Sequence, residues 1–170
     1  MKDHLFLLGF MGSGKSRWGA QLAAPFGLAF LDLDREIVKG ERQTIAEIFA
    51  GQGEAGFRTL ERKYLHALAE QPASVVALGG GTPCFFDNMD WINRQGRSIY
   101  LQVPLETLID RLQRKAGQRP LLAQWPVEEW PQRLGKILED RAPFYEQAQH
   151  IVEYDGDDSS FFSRLCAAAF

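Results

Sequence analysis

Short, continuous apolar runs alternate along the chain with longer segments in which apolar residues recur every three or four positions. The runs are Leu5–Leu8, Ala29–Leu33, Val75–Leu78, Ser98–Val103 and Ile151–Tyr154. Most lack a polar alternation, so they predict strands buried on both faces, as in a parallel sheet. Between them, Leu105, Leu108, Ile109 and Leu112 follow the i, i+3, i+4, i+7 rule of an amphipathic helix. Phe57, Leu60, Tyr64 and Leu68 repeat that spacing, as do Leu134, Ile137 and Leu138. Thr44-Ile-Ala-Glu47 has the form of a capping box and predicts a helix start. Regular strand–helix alternation predicts an α/β protein whose parallel sheet is covered by helices on both faces. The segment from Gly117 to Pro131 breaks the rhythm, with three prolines, two tryptophans and no period. A loop of that length in a compact domain usually has a functional task. Pro131 predicts the start of the next helix, with proline in its first turn.

Length and charge narrow the possibilities. A chain of 170 residues without repeats, low-complexity tracts or linkers predicts one domain spanning residues 1–170. Nineteen basic against 22 acidic side chains give a net charge of −3, which disfavours nonspecific nucleic-acid binding. Cys84 and Cys166 are far apart and form no Cys-x-x-Cys pair, which reads as two free thiols in a reducing compartment. The longest apolar stretch, Leu5 to Gly12, falls far short of the roughly 20 residues of a membrane helix. Asp3 sits beside Lys2 ahead of it, and a glycine loop follows where a leader would be cleaved. The expectation is a cytoplasmic protein with neither nucleic-acid nor membrane partners.

The chemistry begins at Gly9-Phe-Met-Gly-Ser-Gly14-Lys15-Ser16, a complete G-x-x-x-x-G-K-[ST] phosphate loop between a strand and a helix. Glycines there let backbone N–H groups converge on phosphate oxygens, and the helix N-terminus adds partial positive charge. Lys15 would bridge the β- and γ-phosphates, and Ser16 would offer its hydroxyl to Mg²⁺. Asp32 and Asp34 close the second run, and two-residue spacing on a strand puts both carboxylates on one side. One acid can hold a metal-bound water and the other an acceptor hydroxyl; the plainer reading is two acids complementing a helix dipole. Arg58 and Glu61, at i, i+3, read in isolation as a surface ion pair. Arg141 continues the Leu134, Ile137, Leu138 stripe, where an arginine needs an anionic partner. Gly79-Gly80-Gly81 follows a strand and would let a ligand approach the backbone closely. Arg111, Arg114, Lys115 and Arg119 form a basic run, read either as a solvated helix face or, for Arg119, as a clamp on a triphosphate. His4, His66 and His150 show no metal-ligand spacing.

Taken together with Ile45-Ala-Glu-Ile-Phe49, Gly53-Glu-Ala-Gly-Phe-Arg58-Thr-Leu-Glu61, Leu78-Gly-Gly-Gly81, Arg119-Pro-Leu and Arg141-Ala-Pro-Phe-Tyr145, these motifs resemble the shikimate kinases in order and spacing. The resemblance spans His4 to Tyr154. It implies a three-layer α/β/α sandwich around a five-stranded parallel sheet, like the nucleoside monophosphate kinases, with a mobile lid at about 117–131. It also implies ATP-dependent phosphorylation of the 3-hydroxyl of shikimate, on the route to chorismate and the aromatic amino acids. Lys15, Asp34 and Arg119 would then be catalytic. ATP would meet Gly12, Ser13, Gly14, Lys15, Ser16, Arg17, Arg111 and Arg119. Shikimate would meet Asp34, Arg58, Gly79, Gly80, Gly81 and Arg141, and Ser16 and Asp32 would hold Mg²⁺. The expected partners are ATP and shikimate, with the chain acting as a monomer. Two positions depart from the family pattern. Arg17-Trp18 stand where small or β-branched residues are commoner, and Asp155-Gly-Asp-Asp-Ser-Ser160 lacks the proline that often covers adenine. A gluconate or nucleoside monophosphate kinase is the main alternative, and the paired arginines with the glycine triplet argue against it. A GTPase switch is disfavoured by the missing Asn-Lys-x-Asp.

Overall fold

The computed structural model describes residues 4–114, 122 and 125–170. Five parallel strands form one sheet: β1 His4–Leu8, β2 Ala29–Asp32, β3 Ser74–Ala77, β4 Gly96–Gln102 and β5 His150–Glu153. Their order across the sheet is β2-β3-β1-β4-β5. The helices are α1 Lys15–Ala23, α2 Leu33–Glu41, α3 Ile45–Ala67, α4 Asn88–Gln95, α5 Leu105–Gln113, α6 Trp130–Tyr145 and α7 Asp158–Ala169.

Strand β1 shows why its sequence is apolar throughout. Leu5 and Leu7 face a core shared with Trp18, Leu22, Phe161 and Leu165 of α1 and α7. Phe6 and Leu8 face the opposite core, with Ile37, Leu60, Leu108 and Leu134 of the other helices. Period-2 alternation thus feeds two cores, and neither face can be polar. The five strand positions match the apolar runs to within a residue or two.

Strand β2 ends one residue earlier than its apolar run predicts. The Asp32 side chain accepts from the Arg35 backbone N–H at 3.4 Å and caps α2, so Leu33 and Asp34 are helical. Asp32 and Asp34 are therefore a cap and a first-turn residue, not two positions on one strand. The Thr44–Glu47 capping box forms as expected, with the Thr44 hydroxyl accepting from Glu47 N and the Glu47 carboxylate accepting from Thr44 N. The helix it opens runs on to Ala67 with a kink at Gly53, where φ is 69°. Pro131 lies in the first turn of α6, one residue inside Trp130. Trp130 is buried, so it and Pro131 belong to the helix rather than to the expected lid. Within that lid, residues 117–121, 123 and 124, Arg119 among them, lie outside the described residues, as does Lys115 of the basic run.

No helix among the described residues is long and apolar enough to cross a membrane. Cys84 and Cys166 are free. His4 is structural: it is buried, with one ring nitrogen on Ser74 Oγ at 3.0 Å and the other on the Leu68 carbonyl at 2.9 Å.

Candidate active site

Strand order reverses around β1, and in open α/β sheets ligands bind at the carboxyl ends of strands beside such a reversal. A cleft of about 670 Å³ opens there. The loops after β1 and β3, the β2–α2 corner, α5 and the loop after β5 line it. The phosphate loop leaves β1 through Gly9, Gly12 and Gly14, whose φ values of 145°, 84° and 93° are open only to glycine at low cost. Gly14 caps α1, so the loop delivers the first N–H groups of that helix to the cleft. Lys15 Nζ donates to the Gly9 and Phe10 carbonyls at 2.8 and 2.9 Å, lying half-buried across its own loop.

Ser16 Oγ donates to Asp32 Oδ2 at 2.6 Å. A hydroxyl and one carboxylate suit Mg²⁺, which takes one or two protein oxygens and otherwise keeps waters and phosphate oxygens. Among the described residues no cluster of three or more His, Cys, Asp or Glu could form a dedicated metal cage. The pairing of Ser16 with Asp32 is thus a fit for magnesium and a poor one for zinc.

The glycine triplet is where the remaining candidates meet. A Cβ placed on Gly79 would lie 2.7 Å from Glu61 Oε1, 2.8 Å from Thr82 Oγ1 and 2.9 Å from Asp34 Oδ1. One on Gly81 would lie 2.5 Å from Arg58 Nη1, and one on Gly80 3.3 Å from Arg141 Nη1. Side chains from α2, α3 and α6 therefore crowd onto a backbone that has none of its own. Asp34 Oδ1 is buried without a hydrogen-bond partner among the described residues. Burial, then the nearby Glu61 and Asp32 carboxylates, push the Asp34 pKa up to about 6 against the pull of Lys15 and Arg58.

Arg58 and Glu61 are not the surface pair that their spacing suggests in isolation. They are 8% and 1% exposed, and Arg58 Nη1 donates to Glu61 Oε2 at 2.6 Å. Thr82 Oγ1 donates to the other Glu61 oxygen at 2.6 Å, and Arg58 Nη2 donates to Glu54 at 3.0 Å. The guanidinium also sits 4.3 Å from the Phe85 ring centre. Sequence reasoning left Glu61, Thr82 and Tyr145 out of the site. The i, i+3 spacing of Arg58 and Glu61 and the i, i+4 spacing of Arg141 and Tyr145 were the available signals.

At the other end of the cleft, Arg111 leaves the expected solvated face. It donates to the Gly12 and Ser13 carbonyls at 3.3 and 3.4 Å and lies 4.4 Å over the Tyr154 ring. Arg17 pairs with Asp158 at 2.8 Å while Trp18 packs in the core on Phe161 and Phe162. The first departure from the family pattern is thereby placed: Trp18 is a core residue, and Arg17 links α1 to the start of α7.

A phosphate loop, a helix-capping carboxylate and a glycine triplet ringed by arginines and carboxylates at the head of a parallel sheet define a phosphate-loop kinase of small molecules. The family model described as Shikimate kinase matches residues 11–168. The shikimate kinase of Bacteroides thetaiotaomicron is 43% identical over 151 residues, 89% of this chain and 86% of that one. Its crystal structure superposes with a TM-score of 0.90, covering 96% of both chains. The Acinetobacter baumannii shikimate kinase, solved in complex with shikimate, is 35% identical with a TM-score of 0.85, covering 96% of this chain and 90% of that one. A Sinorhizobium meliloti gluconokinase at 16% identity and a TM-score of 0.63 shares the fold alone. The chain belongs to the shikimate kinase family.

Proposed function

We propose that this chain, acting as a single cytoplasmic domain, transfers the γ-phosphoryl group of ATP to the 3-hydroxyl of shikimate. The observation that carries the reading is the convergence on Gly79–Gly81 of two guanidinium groups and a carboxylate whose buried Oδ1 has no hydrogen-bond partner among the described residues. A hydroxylated carboxylic acid satisfies that set: charge-assisted bonds from Arg58 and Arg141 suit its carboxylate, and Asp34 suits its hydroxyl.

The geometry supports the following roles for the described residues. The Gly12, Ser13 and Gly14 backbone cradles the phosphates, and Lys15 exchanges its two loop carbonyls for phosphate oxygens. Ser16 and Asp32 would hold Mg²⁺. When bound, that ion would supply charge to neutralise the phosphates. Asp34 Oδ1 accepts a hydrogen bond from the acceptor hydroxyl and takes its proton as the phosphoryl group moves. With a pKa of about 6, it is mostly ionised at neutral pH and still basic enough for that task. Arg111 would flank the nucleotide. Arg119, assigned from its Arg-Pro-Leu motif alone, would clamp the phosphates, and Arg17 would stand near them while tied to Asp158.

A coupled ADP-release assay tests the reading. Shikimate should sustain turnover with ATP and Mg²⁺, and quinate, gluconate and nucleoside monophosphates should not. Equal turnover with any of the latter would overturn it.

A further inference from the structure

Tyr145 is buried at the end of α6, its ring 5.1 Å from that of Tyr100 in β4. Its hydroxyl donates to the Gly80 carbonyl at 2.5 Å. Burial holds this phenol well above the usual tyrosine range, so it remains a donor at any physiological pH. The other two carbonyls of the triplet are held by their own loop: Thr82 N donates to Gly79 O at 3.2 Å, and Cys84 N donates to Gly81 O at 2.9 Å. The Gly80 carbonyl is held instead from α6, one helical turn beyond Arg141.

The peptide plane gives this contact its consequence. In a trans peptide the carbonyl of one residue and the N–H of the next point in opposite directions. Fixing the Gly80 carbonyl towards Tyr145 therefore fixes the direction of the Gly81 N–H. No side chain in the triplet can do so, because all three residues are glycine. Gly80 also sits between the two halves of the cleft: a Cβ there would lie 3.3 Å from Arg141 Nη1 and 3.7 Å from both Gly9 O and Met11 N. A small rotation of this peptide would move the acceptor-side backbone relative to both Arg141 and the phosphate loop.

We propose that Tyr145 is a positioning residue for the acceptor: its hydroxyl holds the Gly80–Gly81 peptide so that the Gly81 N–H is aimed at bound shikimate. The inference rests on the reading of Gly79–Gly81 as the acceptor site. Tyr145→Phe keeps the ring against Tyr100 and removes only the hydroxyl, with its bond to the Gly80 carbonyl and its hydrogen bond with the Arg141 side chain. The KM for shikimate should rise about three- to tenfold, the effect of losing one net hydrogen bond. The KM for ATP should stay within about twofold. Tyr100→Phe, which removes a hydroxyl from the partner ring, should leave both constants unchanged.

An unchanged shikimate KM in Tyr145→Phe would overturn the proposal, and so would a parallel rise in both KM values, the mark of a merely loosened fold. Should the variant not fold, the natural chain decides the matter. Its Gly81 amide resonance should shift saturably as shikimate is added, and a resonance that stays put would overturn the proposal. Arg141→Ala, measured alongside, separates this inference from the reading beneath it. A raised shikimate KM in Arg141→Ala with none in Tyr145→Phe removes the role of Tyr145 alone. No change in either removes the acceptor site as well.

Discussion

On the nucleotide side of the cleft, eight consecutive residues, Gly9 to Ser16, supply the backbone cradle, the lysine and the hydroxyl. On the acceptor side, Asp34, Arg58, Gly79–Gly81 and Arg141 come from α2, α3, the loop after β3 and α6. The first arrangement is local: glycine φ values and a helix N-terminus create it wherever such a loop follows a parallel strand. The second exists only once the helices have packed, and buried carboxylates hold it in place. Damage to the nucleotide side should therefore appear in catalysis with the fold intact. Damage to the acceptor side should mix binding with stability.

Asp34→Asn should show the largest effect, because it removes the proposed proton acceptor. Turnover should fall by about 10² to 10⁴ with ATP affinity retained, read by steady-state kinetics and nucleotide titration. The same variant should be more stable than the parent at pH 8. The Asp34 pKa of about 6 lies above the unfolded value of 3.8, so the native state binds this proton more tightly than the unfolded chain does. Its stabilising contribution is complete below about pH 4 and is lost as pH rises through 6. Thermal melts should show the gap between variant and parent closing towards pH 4. Parent turnover should rise through pH 6 as the carboxyl ionises.

Lys15→Ala comes next. Losing one preorganised cation costs on the order of 10² to 10³ in kcat. Melting should change little, because the half-buried lysine donates to two carbonyls of its own loop rather than bridging packed helices through them. A large loss of stability would mean that the phosphate loop is as structural as the acceptor side.

The two acceptor arginines should then part company. Each loss removes charge-assisted bonds worth ~1.5–3 kcal/mol, so calorimetry should show shikimate affinity falling about tenfold or more in both variants. Arg58→Ala should also strand the buried Glu61 carboxylate, a penalty of about 3–5 kcal/mol in thermal or denaturant unfolding. The half-buried Arg141 has no such buried ion pair among the described residues, and Arg141→Ala should unfold almost as the parent does.

The smallest effect belongs to Asp158→Asn. Its pair with Arg17 is exposed on both sides, 56% and 45%, and such bridges contribute about 0–1 kcal/mol. The KM for ATP should move less than about threefold.

This division also sets how much was legible in the sequence. The phosphate loop, the α3 capping box and the five strands are contiguous patterns, and each was readable from spacing alone. The place of Asp34 on a helix was half-readable, since an aspartate closing an apolar run is a cap signal as much as a strand end. The burial of Arg58 and Glu61 was hidden, because i, i+3 charges look the same on a wet face and under a glycine loop. Tyr145 on Gly80 and Arg17 on Asp158 join residues distant in sequence, and only the packed sheet brings them together.

The position of the phosphate on the product tests the account most directly. Shikimate, ATP and Mg²⁺ incubated with the chain should give one new phosphate ester whose ³¹P resonance couples to the proton on carbon 3 of the ring. That outcome requires Asp34 to select a single hydroxyl while Arg58 and Arg141 hold the carboxylate. An ester on another hydroxyl, a mixture of esters, or ADP release without any ester would contradict it.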